Sequence, residues 1–312
     1  MSTLSFDPRR PPVRGHPVKI LRSTTHPTRS YQNGDNKAPR QFPPSIYLGE
    51  FNPNTALPMT RAEEEAEYRY LLPRIAAASG RDKCGLQQDL LIALTRSCGR
   101  YLQDVSGSAN MCLTFSVMAT GYGIYNPPAY PDFSNQDEIL AAVGSQRGRM
   151  TSTVDGADAK LALEYGIPMC VIDNHPLYGL TFYLTLPTQV ELTKNEKVVP
   201  LRDQDCLTIT LKDFDKDVGN RTELIEALAK FAEQRRAPRS RESLSRMTHK
   251  ELILEALSNP WVLCIYHYGQ HYQALIVKDP ESALKRYPDH YPLDAAAILP
   301  EAVRQKYMRN TA

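Results

Sequence analysis

The chain has 312 residues, of which 42% are hydrophobic, 23% are charged and 8% are aromatic. This length allows one large domain or two small ones, and the hydrophobic fraction suffices for a buried core, which excludes a wholly disordered protein. The formal net charge of +2 argues against a protein that works mainly by coating nucleic acid, so no nucleic-acid partner is expected. No apolar run approaches the ~20 residues that a transmembrane helix needs, so no membrane span is expected.

The first 58 residues differ in composition from the rest of the chain. Ten of the 24 prolines fall in residues 1–60, and residues 1–49 carry eight basic side chains against two acidic ones. Such a segment buries too little apolar surface to offset its ordering entropy, so residues 1–58 are expected to form a disordered leader. The leader lacks the apolar core of a secretory signal. A solvated tail, a secretion or targeting signal, and an arm for nucleic acid or a membrane surface remain open roles for it.

After residue 58 the sequence carries both helix and strand signals, which predicts an α+β domain over residues 59–312. Thr60 and Glu63 fit a capping box, which predicts a helix to about residue 79. Helical spacing predicts a second helix over 86–103 and a buried helix whose first residues include Cys112. Further helices are predicted over 135–144, 156–165, 222–235 and 248–258, and strands over 167–173, 181–186 and 206–211.

The strongest local signal is a β-hairpin near the C-terminus. Residues 261–268 and 271–277 are β-prone runs on either side of Gly269-Gln270, which fits a two-residue type II′ turn. The turn sets the register of the two strands. By alternation, His271 and Gln273 share one face of the hairpin.

The six cysteines include no C-x-x-C pair, which is typical of a reducing compartment such as the cytosol. No Cys/His cluster has zinc spacing, so no metal is expected. Cys112 is the cysteine predicted to lie at a helix N-terminus, where N–H groups and the helix dipole lower the pKa of a thiol. A thiolate nucleophile needs a histidine as base, and His271 on its strand is the candidate, with His175 and His267 as competitors.

Three segments carry a resemblance to a known family. Residues 110–115 place Cys112 between a loop and a helix, residues 158–172 join a helix to a buried strand, and His271-Tyr272 begin a late strand. In this order the segments resemble ovarian-tumour-type (OTU) cysteine proteases. The resemblance implies a papain-like fold and cysteine-dependent hydrolysis of isopeptide or peptide bonds in ubiquitin or ubiquitin-like conjugates, without a cofactor.

The resemblance also implies catalytic roles. Cys112 would attack the carbonyl, His271 would accept and return a proton, and backbone N–H groups from Asn110 through Met111 to Cys112 would bind the oxyanion. The family usually carries Asp-Gly-Asn before the cysteine, whereas this chain has Ala109-Asn110-Met111.

The group that orients the histidine ring is a separate prediction. Two residues after the histidine the family favours Asn or Asp, and this chain has Gln273. Gln273 is the first choice because it should share the face of His271, and a glutamine can accept a hydrogen bond from the ring. Asp104 and Asp279 are the alternatives.

The stretch between residues 172 and 268 is longer than a minimal family member needs, so residues 174–260 are expected to contain an inserted helical lobe. Two other functions remain open. One is a papain-like deamidase, acyltransferase or other peptidase that uses the same pair, and the other is a non-catalytic binding protein in which Cys112 and His271 are core residues. A leader of this composition ahead of an OTU-like domain suggests a bacterial effector injected into host cytoplasm.

Overall fold

Helices packed against a mixed β-sheet make up the computed structural model, which confirms the predicted α+β class. The structure describes residues 40–127, 130–148, 153, 156–177, 179–186, 190–192, 198–200, 207–210, 221–234 and 240–287. Residues 1–39 of the expected leader lie outside the described residues, so their disorder stays a prediction.

The described helices are α1 (Arg61–Ala77), α2 (Gly80–Ser97), α3 (Cys112–Gly121), α4 (Gln136–Ala142), α5 (Ala157–Tyr165), α6 (Arg221–Gln234), α7 (Arg241–Ser245), α8 (His249–Ser258) and α9 (Pro280–Arg286). The strands are β1 (Arg100–Gln103), β2 (Met169–His175), β3 (Gly179–Thr185), β4 (Val190–Leu192), β5 (Val198–Pro200), β6 (Leu207–Thr210), β7 (Leu263–Tyr268) and β8 (His271–Val277). Six of them form a sheet in the order β1-β8-β7-β2-β3-β6, in which β2 and β7 run parallel and the other neighbours antiparallel.

The helix starts follow from local capping chemistry. A capping box joins Thr60 and Glu63 at the start of α1, as predicted, and a second one joins Thr248 and Glu251 at the start of α8. Gly166 adopts a left-handed φ of 63° and ends α5, again as predicted. Among the described residues, no helix combines the length and apolar character required to cross a membrane.

The predicted helix over 86–103 is wrong at its C-terminal end. Helix α2 stops at Ser97, and strand β1 begins at Arg100. Gly99, with a φ of 76°, turns the chain between the two elements. Leu102 fell on the helical spacing by coincidence, and it lies on an edge strand of the sheet.

The predicted hairpin is confirmed. Tyr268 lies opposite His271 and Tyr266 lies opposite Gln273 across β7 and β8. Gly269 has a φ of 66°, which suits the first central position of a type II′ turn. Helix α3 is buried along its whole length and packs against both strands of the hairpin.

The structure bears on two of the predicted boundaries. Residues 40–58, assigned to the leader, belong to the packed body, because Ile46 is buried and Leu48 forms a β-bridge with Val105. The folded region therefore begins before residue 59. Residues 174–260 contain α6–α8, but they also add β3 and β6 to the main sheet, and α8 packs against α2. The described parts of this stretch therefore contribute strands to the main sheet as well as helices, and the inserted lobe itself stays a prediction.

Candidate active site

Three chain segments meet at one edge of the sheet: the end of β1, the start of β8 and the N-terminus of α3. The antiparallel register of β1 and β8 places Gln103 opposite Ala274. Asp104, the next residue after β1, therefore reaches the start of β8, where His271 lies. The following loop leads to α3, whose first residue is Cys112.

The His271 ring connects Asp104 and Cys112. Its Nε2 lies 2.8 Å from Asp104 Oδ1, and the ring also hydrogen-bonds the Cys112 thiol. Because Nε2 faces the carboxylate, Nδ1 is the ring nitrogen that remains for the sulfur. The backbone N–H groups of Tyr272 and Leu113 donate to the same sulfur. The structure thus brings together the cysteine and histidine that the sequence singled out.

The contacts within this trio favour its charged form. Burial opposes ionisation of the Cys112 thiol, but hydrogen bonds from His271 and from backbone N–H groups outweigh it and lower the thiol pKa from its ordinary value. Hydrogen bonds to Asp104 and then to Cys112 raise the pKa of His271 from 6.5 to about 9. Burial opposes the charge of Asp104 too, yet hydrogen bonds from His271 and Gln273 leave its pKa lowered. At neutral pH the imidazole of His271 is therefore protonated and the carboxyl of Asp104 ionised, and the charged ring favours the thiolate form of Cys112.

Gln273 does not contact the ring in the predicted way. Its Nε2 donates to Asp104 Oδ1 at 3.0 Å, so it holds the carboxylate that in turn orients the ring of His271. The expectation that Gln273 itself orients the ring is wrong, and Asp104, one of the two alternatives, has that position. Asp279, the other alternative, caps α9 through the N–H of Ser282.

Residues 47–49 support Asp104 from the outer side of β1. The N–H of Gly49 donates to the Asp104 carbonyl at 2.8 Å, and the N–H of Ser106 donates to the Tyr47 carbonyl at 2.9 Å. A Cβ at Gly49 would come within 2.3 Å of Asp104 Oδ2, so a glycine there leaves room for the carboxylate. No local sequence signal marks this contribution, because the pairing uses backbone groups far apart in the chain.

The loop before Cys112 turns through two left-handed residues, Ala109 with a φ of 52° and Asn110 with a φ of 60°. The N–H of Met111 donates to the Ser108 carbonyl at 3.1 Å. This donor is engaged within the loop, which contradicts its expected role in the oxyanion site. The N–H groups of Asn110 and of Cys112 itself are the remaining donors of the expected set.

The trio lies at the surface. The side chains of His271 and Asp104 are 36% and 39% exposed, whereas Cys112 keeps 9% of its surface. Cys112 is therefore buried beside a histidine and an aspartate that solvent reaches, so a substrate would approach the sulfur along the His271 side.

The other described cysteines have different surroundings. Burial raises the pKa of the thiols of Cys84 and Cys98. Cys170 and Cys264 face each other on β2 and β7 with no exposed surface. Cys206 lies outside the described residues. Cys112 is therefore the described cysteine that has an imidazole partner and a lowered thiol pKa.

The competing histidines have other partners. The Nδ1 of His267 lies 3.0 Å from Asp173 Oδ1, and its ring stacks on Tyr272 at 4.4 Å between centroids. His175 accepts the backbone N–H of Leu177 through Nδ1. His271 is the histidine that the structure places on the Cys112 thiol.

Within the part of the chain that the structure describes, no group of three or more His, Cys, Asp or Glu side chains is arranged to hold a metal ion. No protein-family model, curated protein or solved structure matches the chain. The features that bear on function are therefore the geometry of the trio and the resemblance of its surrounding segments.

Proposed function

We propose that this chain is a papain-like cysteine hydrolase, similar to the OTU proteases, that cleaves isopeptide or peptide bonds in ubiquitin or ubiquitin-like conjugates. The observation that carries the chemistry is the linked trio of Cys112, His271 and Asp104 at the N-terminus of a buried helix. The fold family and the substrate class rest on the resemblance of residues 110–115, 158–172 and His271-Tyr272.

The first half of the reaction forms a thioester. The Cys112 thiolate attacks the carbonyl carbon, a C–S bond forms, and the carbonyl electron pair moves to oxygen. Backbone N–H groups of Asn110 and Cys112 donate to this oxyanion. As the C–N bond breaks, the His271 imidazolium gives its proton to the leaving amine. Asp104 stays ionised and keeps the ring aimed at the sulfur.

The second half releases the acid product. Neutral His271 accepts a proton from a water molecule while the water oxygen attacks the thioester carbonyl. The C–S bond then breaks, which restores the thiolate of Cys112 beside the imidazolium of His271. The new carboxylic acid loses its proton to solvent.

A ubiquitin derivative with an electrophile in place of its C-terminal carboxylate tests nucleophile and substrate together. The wild-type chain is expected to form a covalent adduct, and Cys112→Ala is expected to form none. Cys98→Ala is the matched control, because it removes a half-buried thiol whose pKa is raised by burial, and it should retain the adduct.

Two results would refute parts of the proposal. A wild-type chain that forms no adduct, although iodoacetamide alkylates Cys112 at about pH 6, would refute the ubiquitin substrate while leaving the nucleophile in place. Failure of both reactions would refute the hydrolase. Incubation with a conjugate separates proteolysis, which releases a free ubiquitin terminus, from deamidation or acyl transfer, which changes a mass without cutting.

The cellular setting belongs to the same proposal. The basic, proline-rich leader precedes the OTU-like region, and the cysteine usage fits a reducing compartment. We therefore infer that the protein acts in cytosol, as an injected bacterial effector does in its host. Secretion of the full chain, compared with a chain that lacks residues 1–39, tests the leader, and equal secretion of both would refute this role.

A further inference from the structure

A cavity of about 440 Å³ lies where β1 begins and β8 ends, at the ends of these strands away from Asp104 and His271. Residues 56–59 and 96–100 form much of its wall, and side chains from α1, α8 and α9 complete it. This volume is in the range of small-molecule sites.

The lining of the cavity is strongly basic. Its cationic residues include Arg61, Arg96, Lys278 and Arg286, and no Asp or Glu is among the described residues that line it. Neutral groups orient the cations, since Arg61 donates to the hydroxyls of Ser97 and Ser258, and Lys278 donates to the Ala56 carbonyl at 2.9 Å. Hydroxyl and carbonyl acceptors position these side chains but do not neutralise their charge.

The charges that lie near the cavity offset only part of this excess. Glu64 is 3.9 Å from Arg61 and 2.9 Å from Lys250, and Lys250 is also bound by Glu65 at 2.6 Å, so Glu64 offsets part of the charge of Arg61. The C-terminal ends of α2 and α8 each contribute about −0.5 charge, which together offsets about one cation. Without any contribution from Arg96, the three remaining cations therefore keep an excess of more than one positive charge.

We propose that this cavity binds a ligand that carries two or more phosphate groups. Guanidinium groups pair with phosphate oxygens through two parallel hydrogen bonds, and a lysine ammonium adds a compact positive charge. A soluble polyphosphorylated molecule and the headgroup of a phosphoinositide lipid share this chemistry.

Titration calorimetry of the full chain with inorganic tripolyphosphate at about 0.15 M salt tests the proposal. We expect saturable binding at one site per chain. The variant Arg61→Gln/Arg286→Gln removes two exposed cations of the lining and should bind at least about tenfold more weakly. The control Arg69→Gln/Arg246→Gln removes two exposed cations elsewhere, with side chains 77% and 76% exposed, and should keep the wild-type affinity.

Vesicles with and without a phosphatidylinositol bisphosphate distinguish the two sources of phosphate. Vesicle binding that tripolyphosphate displaces, and that the cavity variant loses, assigns the site to a lipid headgroup. Tripolyphosphate binding without vesicle binding assigns it to a soluble ligand. Absence of tripolyphosphate binding, or equal weakening in the cavity variant and the control, would overturn the proposal. Thermal melts of all variants ensure that the comparison is between folded chains.

Discussion

Replacing Asp104 by asparagine separates the charge of this residue from its size. The amide of Asp104→Asn keeps an oxygen that can accept from the His271 ring, but it has no negative charge. Asp104 is the largest contributor to the raised pKa of His271. We therefore expect the variant to fold normally, to destabilise the imidazolium and, through it, to destabilise the thiolate of Cys112.

The size of the effect follows from the ring and its exposure. The pKa of His271 is raised from 6.5 to about 9, and at 1.36 kcal/mol per unit this corresponds to about 3 kcal/mol shared between Asp104 and Cys112. The two side chains that form the carboxylate–imidazole pair are 36% and 39% exposed, so solvent screening reduces the share of Asp104 to about 1–1.5 kcal/mol. That free energy corresponds to about a tenfold change in the population of the ion pair.

Alkylation of Cys112 by iodoacetamide measures this population, because the thiolate is the reacting form. Asp104→Asn should react about tenfold more slowly than wild type at about pH 6, and the two rates should converge at high pH, where the thiol ionises without assistance. Asp173→Asn is the control, since it removes a half-buried carboxylate that is paired with His267 instead. Identical profiles for wild type and Asp104→Asn, or an equal loss in the control, would refute the reasoning.

Three further predictions follow from the same structure. The rate of hydrolysis should decline as the pH rises through about 9, the pKa of His271, because the neutral ring has no proton for the leaving amine. A pH–rate profile that stays level well above this pH would contradict the role of His271 as the proton donor. Gly49→Ala should slow hydrolysis about tenfold by displacing the Asp104 carboxylate, and it should have no further effect in an Asp104→Ala background. Additive losses of rate in this double-mutant cycle would show that residue 49 does not act through Asp104. Arg100→Met should lower the free energy of unfolding, measured by urea denaturation, by at least about 3 kcal/mol, because the buried guanidinium donates to four backbone carbonyls. A loss below about 1 kcal/mol would show that these hydrogen bonds contribute little to stability.

The elements that carry Cys112 and His271 were predictable because their signals are local. A small polar loop followed by an apolar run marks the start of α3 near Cys112. A glycine between two β-prone runs defines the hairpin and, through the turn type, the register that places His271 at the start of β8. Capping boxes mark two helix starts in the same way. In each case a few neighbouring residues determine the backbone without help from the rest of the fold.

The short strand β1 was not predictable from periodicity, and this hid the position of Asp104. Four residues are too few to establish an alternation, and Leu102 happened to continue the helical spacing of α2. The stronger clue was Gly99, because a glycine at this point commonly ends a helix in the left-handed conformation. If the predicted helix is ended at Gly99, Asp104 follows an extended segment rather than a helix. The pairing of residues 47–49 with this strand has no local signal at all.

Gln273 stands where the OTU proteases favour Asn or Asp, and the position of Asp104 accounts for this difference. A glutamine two residues after His271 cannot supply a full negative charge to an imidazolium. The edge strand β1 supplies that charge from its end, and the amide of Gln273 donates to the same Asp104 oxygen that faces the ring. Gly49 leaves the space that this carboxylate occupies. The position of the carboxylate that orients the ring therefore depends on two strands and a backbone contact. This is tertiary packing, which no single stretch of the sequence specifies.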